Sequence, residues 1–174
     1  MNEVIRTILS RRSVREFSDR EIPVEELELI VRAAESAPSG RNRRTWKFTV
    51  VRNKEIKNRL RTVVSNALGL GNDYNFFNPD VLIIASNKRD NPLGVQDCSC
   101  ALENIFLAAH SLGIGSVWIN QFRTICDVPE VRKALDDIRI PSDHIIVGCA
   151  ALGYPARGHS FEIRSHPGAS EWFL

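Results

Sequence analysis

The residues best equipped for chemistry stand in the octapeptide SRRSVREF, Ser10 to Phe17, which places Arg11, Arg12 and Arg15 beside the hydroxyls of Ser10 and Ser13. Guanidinium groups match phosphate and carboxylate oxygens by planar, bidentate, charge-assisted hydrogen bonds, so the chemistry on offer is anion binding. The octapeptide ends a short amphipathic helix over residues 2–10, with Val4, Ile5, Ile8 and Leu9 on one stripe. If that helix continues, Arg11 and Arg15, four apart, share a face, while Arg12 and Ser13 lie where it ends. The competing explanation is that three arginines answer the negative end of the helix dipole and solvate a surface. With 23 Lys and Arg against 21 Asp and Glu, the formal charge is only +2, so no broad attraction to nucleic acid or an anionic membrane is expected and any anion site must be local.

Other chemistries are poorly served. The glycine-containing GLG at 69–71 and GIG at 113–115 do not make the G-x-G-x-x-G turn, and neither a Walker A sequence nor a G-x-S-x-G elbow occurs. Cysteines at 98, 100, 126 and 149 and histidines at 110, 144, 159 and 166 lack zinc or iron–sulfur spacing, so no metal site is expected. Cys98 and Cys100 fall in a helical pattern that turns their side chains about 200° apart, which suits small reduced core residues rather than joint ligands. His110, inside an apolar helix, reads as a satisfied core histidine rather than a general base.

The elements that must position these residues are legible in outline. A chain of 174 residues, 43% hydrophobic and 25% charged, fits one domain, 1–174. A helix over 24–36 begins beside Pro23 and ends before Pro38, and WKFTVV at 46–51 is a strand. A basic helix over 55–68 leads through the loop GLGNDYNFFNP to VLIIA at 81–85, a continuous apolar run suited to a strand buried on both faces. Residues 93–112 form a helix apolar on most sides, hence surrounded by protein, and Gly113 caps it. A strand at 116–119, a short helix at 128–135 and a strand at 145–152 complete the order, before a polar tail from Gly153 that ends in Trp172-Phe173-Leu174 and should dock on something. By itself the alternation suggests α/β layering with a parallel sheet. Neither a signal peptide nor a membrane-length apolar run is present, so a cytoplasmic location is expected.

Four stretches in order, SRRSVREF at 10–17, SAPSGRNRRTWKF at 36–48, ENIFLAAHSLGIGSVWI at 103–119 and ALGYPA at 151–156, span nearly the whole chain, which resembles the flavin-dependent nitroreductase family. The resemblance implies an α+β, nitroreductase-like fold, a mixed β-sheet flanked by helices, in place of the parallel sheet. It also implies an obligate homodimer with the apolar helix 93–112 at its core, the tail 153–174 wrapping the partner, and one FMN in each of two clefts at the subunit interface. NADH or NADPH would donate hydride and a small-molecule acceptor, such as a nitroaromatic or a quinone, would collect electrons in ping-pong alternation, the cofactor rather than a protein acid or base carrying the reaction. A flavin-binding or redox-sensing protein without turnover is the alternative.

By the same resemblance, Arg11, Arg12, Ser13 and Arg15 align with positions that contact the phosphate, ribityl chain and pyrimidine end of the flavin, with Arg11 and Ser13 on the phosphate and Arg12 or Arg15 near the N1–C2 end. Pro38, Ser39 and Asn42 would approach from the other subunit. The family commonly has Gln-Pro before the tryptophan; here Arg44-Thr45 precede Trp46, and Arg41 and Arg43 make the cleft entrance more positive. Ile119, Asn120 and Gln121 align with the segment beside the flavin ring, the Asn120 amide facing N5, and Gln121, where glycine is frequent, reaching into the cleft. Arg164, with Arg157 as second choice, would complete the phosphate site.

Overall fold

The structure, a computed structural model, describes residues 1–156, 161–163, 168 and 170–173. In chain order the elements are α1 (Glu3–Ser10), α2 (Val24–Glu35), β1 (Trp46–Val51), α3 (Lys54–Leu68), β2 (Val81–Lys88), α4 (Gly94–Ser111), β3 (Gly115–Ile119), α5 (Pro129–Asp137) and β4 (His144–Gly153), with single 3₁₀ turns at Gly40–Asn42 and Gln121–Thr124. Each begins or ends where local chemistry allows. The Asn53 side chain accepts from the Ile56 amide at 3.0 Å and caps α3. At the other end of α4, Gly113 adopts φ +74°, donating to the His110 carbonyl while Ile114 donates to that of Ala109, a Schellman closure that turns the chain directly into β3.

The sheet has the order β1-β2-β4-β3, and all neighbouring strands run antiparallel. The α+β class therefore holds, and the parallel sheet suggested by bare alternation does not: α3 connects β1 to an antiparallel neighbour. Among the described residues, the one parallel pairing is an isolated bridge between Ser13 and Ser116 at the β3 edge. Alternate residues of β2 face two cores. Val81, Ile83 and Ala85 join α2 and α4, whereas Leu82 and Ile84 join α3 and α5. A strand covered on both faces has no polar side, which is why VLIIA lacks alternation.

β2 runs to Lys88, three residues past the apolar run, because its polar end is internally satisfied. The Ser86 hydroxyl lies 3.0 Å from His144 Nδ1, and Asn87 Nδ2 donates to the Gly94 carbonyl at 3.2 Å. The apolar character of α4 is likewise mostly explained within the chain: Cys98, Ala101, Leu102, Ile105, Phe106 and Ala109 are buried against α2 and the sheet. What stays open is the apolar stripe of α1, where Val4, Ile5, Ile8 and Leu9 are exposed, together with Trp172 and Phe173. No helix among the described residues is long and apolar enough to cross a membrane.

Candidate functional site

α1 stops at Ser10, and Arg11 already has extended torsions, φ −55° and ψ 135°. Arg11 and Arg15 are therefore not related by a helical turn. The chain instead runs extended along β3: Ser13 bridges Ser116, the Val14 amide donates to the Ser116 carbonyl at 2.9 Å, and Phe17 bridges Pro155. Extended backbone alternates sides with period two, so Arg11, Ser13 and Arg15 still share a side, by a different mechanism from the one helical spacing suggests. Val14 is the buried counter-face, while Ser13 and Arg15 are exposed. The fit requires Gly115, where an added Cβ would sit 2.8 Å from Val14 Cβ.

The arginines divide their contacts. Arg11 Nε lies 3.7 Å from Glu103 on α4. Arg12 folds back to donate to the carbonyls of Leu9 and Arg11, at 3.0 and 2.7 Å, and to Glu162 at 3.2 Å, so it closes the C-terminus of α1 and ties down the tail. Its Nε is buried with no hydrogen-bond partner among the described residues. Arg15 lies 6.0 Å from the centre of the Phe77 ring.

At the far end of β3, Ile119 is buried and Asn120 emerges to the surface. The Asn120 amide donates to Oε1 of Gln121 at 3.0 Å. Gln121 therefore curls back onto the amide that precedes it instead of extending away from it.

The third piece is the loop after α2. Pro38 and Asn42 are exposed and Ser39 half-buried. Arg41, Asn42 and Arg44 all have positive φ, 56°, 56° and 48°. Such torsions persist in non-glycine residues only where surroundings enforce them. Here the Ser39 hydroxyl accepts from the Arg44 amide at 3.2 Å and Arg44 Nε donates to Asn42 Oδ1 at 2.9 Å. Beneath the loop, buried Asp97 of α4 accepts from the Gly40 amide at 2.7 Å and from Asn91 Nδ2 at 3.2 Å. Asn91 Nδ2 also donates to Thr45 Oγ1, whose hydroxyl donates to Asn87 Oδ1 at 2.7 Å. This clamp was not anticipated from sequence. Its signal was there in DCSCALEN: a carboxylate at a buried position of an apolar helix needs donors, and the arginine-rich loop supplies one through its backbone.

His110 joins α4 to α1 and the tail. Its Nε2 lies 2.7 Å from the Ser10 hydroxyl, and the Phe161 ring meets it edge-on. Burial, then the nearby Arg11 and Arg12 charges, hold its pKa below the usual histidine value, so it stays neutral at pH 7 as a satisfied structural histidine. Among the cysteines, burial pushes Cys98 up to about 12, an inert thiol; Cys126 and Cys149 are buried as well, and Cys100 departs from the core expectation by being exposed. The two C-terminal candidates, Arg157 and Arg164, lie outside the described residues.

Comparison with known proteins gives this geometry its context. The nitroreductase family model matches residues 8–154. The chain is 38% identical over 159 residues to a putative NADH dehydrogenase/NAD(P)H nitroreductase of Archaeoglobus fulgidus, covering 89% of this chain and 87% of that protein. It is 25% identical over 173 residues to the FMN reductase (NADPH) of Bacillus subtilis, covering 90% of this chain and 67% of that one. Its fold superposes on a nitroreductase of Bacteroides fragilis solved with bound FMN, at a TM-score of 0.91 and 37% identity over 100% of both chains. The segment 11–15, its Ser116 partner and the Ile119–Gln121 end of β3 fall within the matched region, and the chain belongs to the nitroreductase family.

Proposed function

We propose that this protein is an FMN-dependent oxidoreductase that works as a homodimer, drawing electrons from NADH or NADPH. The observation that carries it is the extended segment 11–15, which holds Arg11, Ser13 and Arg15 on one side of the β3 edge and, next to them in the chain, leaves the buried Arg12 Nε without a partner among the described residues. A buried donor left without an acceptor fits an anionic group such as a phosphate or a flavin oxygen. When bound, FMN supplies hydride acceptance and electron delivery to a nitroaromatic, quinone or related acceptor in alternating half-reactions.

The chain's own residues bind and orient. Arg11 and Ser13 would hold the phosphate, and Arg12 or Arg15 would supply positive charge to the N1–C2 end of the ring. Ile119 and the Asn120 amide, whose present acceptor is Gln121 Oε1, would hold the N5 edge. Pro38, Ser39 and Asn42 serve the cofactor of the partner subunit, and Arg157 or Arg164 completes the phosphate site. The exposed apolar stripe of α1 supports a dimer, with Leu107 and Ala108 of α4 beside it in a shared groove, and the Trp172-Phe173 end packing on the partner.

The test is the purified protein under anaerobic conditions in a stopped-flow instrument. A yellow preparation bleached by NADH or NADPH and reoxidised by a quinone or nitro acceptor is expected; a colourless protein that FMN cannot reconstitute overturns the proposal. The occupied Asn120 amide favours a second reading, flavin binding without turnover of its own, which sustained consumption of either nicotinamide excludes.

A further inference from the structure

We propose that the loop 40–44 and the turn 91–93 form a docking site for the anionic group of the redox substrate, a phosphate or a carboxylate. This rests on the flavin assignment above and goes beyond it by naming a chemical class. Arg41, Arg43 and Arg44 are exposed within a stretch of four residues, and among the described residues none has a carboxylate partner. Unneutralised like charges crowded on one turn repel each other, and an external anion relieves that repulsion.

The loop is also held in shape. Asp97 grips the Gly40 amide at 2.7 Å, Asn91 links Asp97 to Thr45, and the Ser39 hydroxyl closes on the Arg44 amide, so positive-φ residues are presented on a fixed frame. Gly40 packs close against Leu93, where a Cβ would lie 2.3 Å from Cδ1. The result is a hollow of about 270 Å³ lined by Gly40, Arg41, Arg43, Asn91, Pro92 and Leu93. Whole drug-sized ligands occupy clefts of roughly 300–1,000 Å³, so this is room for one end of a molecule. Its lining combines the charged Arg41 and Arg43 with the apolar Pro92 and Leu93. Successive Cα atoms are about 3.8 Å apart, so Arg41 and Arg43 flank Asn42, which the flavin assignment places at the cofactor. An anion held here belongs to the molecule that exchanges electrons with the flavin.

Two sources share this chemistry: the 2′-phosphate of NADPH, and an acidic acceptor. The test compares the wild-type protein with Arg41→Gln/Arg43→Gln and with Arg41→Lys/Arg43→Lys. Calorimetry measures binding of 2′,5′-ADP against 5′-AMP, and of 4-nitrobenzoate against 4-nitrobenzyl alcohol; turnover is measured with NADPH against NADH and with the same two acceptors. For one pair, the glutamine variant is expected to lose about tenfold of the preference for the anion, the lysine variant to recover part of it, and added salt to erode it. Loss confined to the nucleotides identifies the donor; loss confined to the nitro compounds identifies the acceptor. If neither preference moves, the proposal is overturned. A preparation without FMN removes the functional assignment, while the binding measurements, which need no flavin, still decide this one.

Discussion

At the scale of single residues, the contacts already made decide which groups are free for a cofactor. The Arg11–Glu103 pair is long, at 3.7 Å, and reached by solvent on the Glu103 side, so it contributes little and leaves Arg11 available. Arg11→Ala should therefore weaken FMN retention by about 1.5–3 kcal/mol, the range for a hydrogen bond to a charged group, read as flavin lost on dialysis. Arg12 is different, since it also holds the end of α1 and the tail through three carbonyls; its replacement should lower stability together with flavin binding. Gln121→Ala removes the oxygen that occupies the Asn120 amide. FMN should then bind more tightly in a fluorescence titration, and equal affinity in both proteins would show that Gln121 does not compete.

At the scale of elements, the candidate site depends on two junctions with β3 and α4. Gly115→Ala would drive a Cβ into Val14 and lift the 11–15 segment from the strand edge. Flavin affinity should fall more than the urea midpoint, because the sheet itself keeps its other pairings. Asp97→Ala strips an acceptor from the Gly40 amide and a partner from Asn91. A buried donor left unsatisfied costs about 1–3 kcal/mol, measurable by urea unfolding, and the loop 39–45 should become the first segment to exchange its amide hydrogens. The same junctions explain why element order was readable while the site was only partly so. Trp46–Val51 matches the observed strand because aromatic and β-branched content is a local property. The end of α1 at Ser10 matches the helix expected over 2–10, but the continuation that would have put Arg11 and Arg15 on one helical face does not occur, because the segment from Arg11 to Phe17 instead bridges Ser116 and Pro155, a hundred residues or more away in sequence.

At the scale of the molecule, two histidines, His144 buried and His110 half-buried, tie stability to pH. Burial first, with surrounding positive charges, holds His110 below its ordinary value of 6.5, and burial dominates over Asp143 to do the same for His144. Both are neutral in the fold, so as pH falls through 6.5 the unfolded chain takes up protons first. Their stabilising contribution is complete above about pH 7 and is lost as pH falls towards the depressed values. The urea midpoint should drop between pH 7 and pH 5.5, and His110→Asn with His144→Asn should flatten that slope. If the α1 stripe is a subunit interface, the thermal midpoint should also rise with protein concentration, checked by calorimetry over a hundredfold range; an invariant midpoint argues for a monomer.

Sequence by itself determined the order of helices and strands and, through four stretches in register, the family. Those follow from local periodicity and residue type, which survive without knowing what packs on what. Tertiary structure decided the rest. The strand order is non-sequential, so no periodicity reports that β2 sits between β1 and β4. Two sheet faces were needed to show why Val81 to Ala85 of β2 are all apolar, and the chain's own layers to show why α4 is mostly so. SRRSVREF carried its chemistry in its composition, but what puts Arg11, Ser13 and Arg15 on one side is a hydrogen bond from Val14 to a distant strand rather than a helical turn.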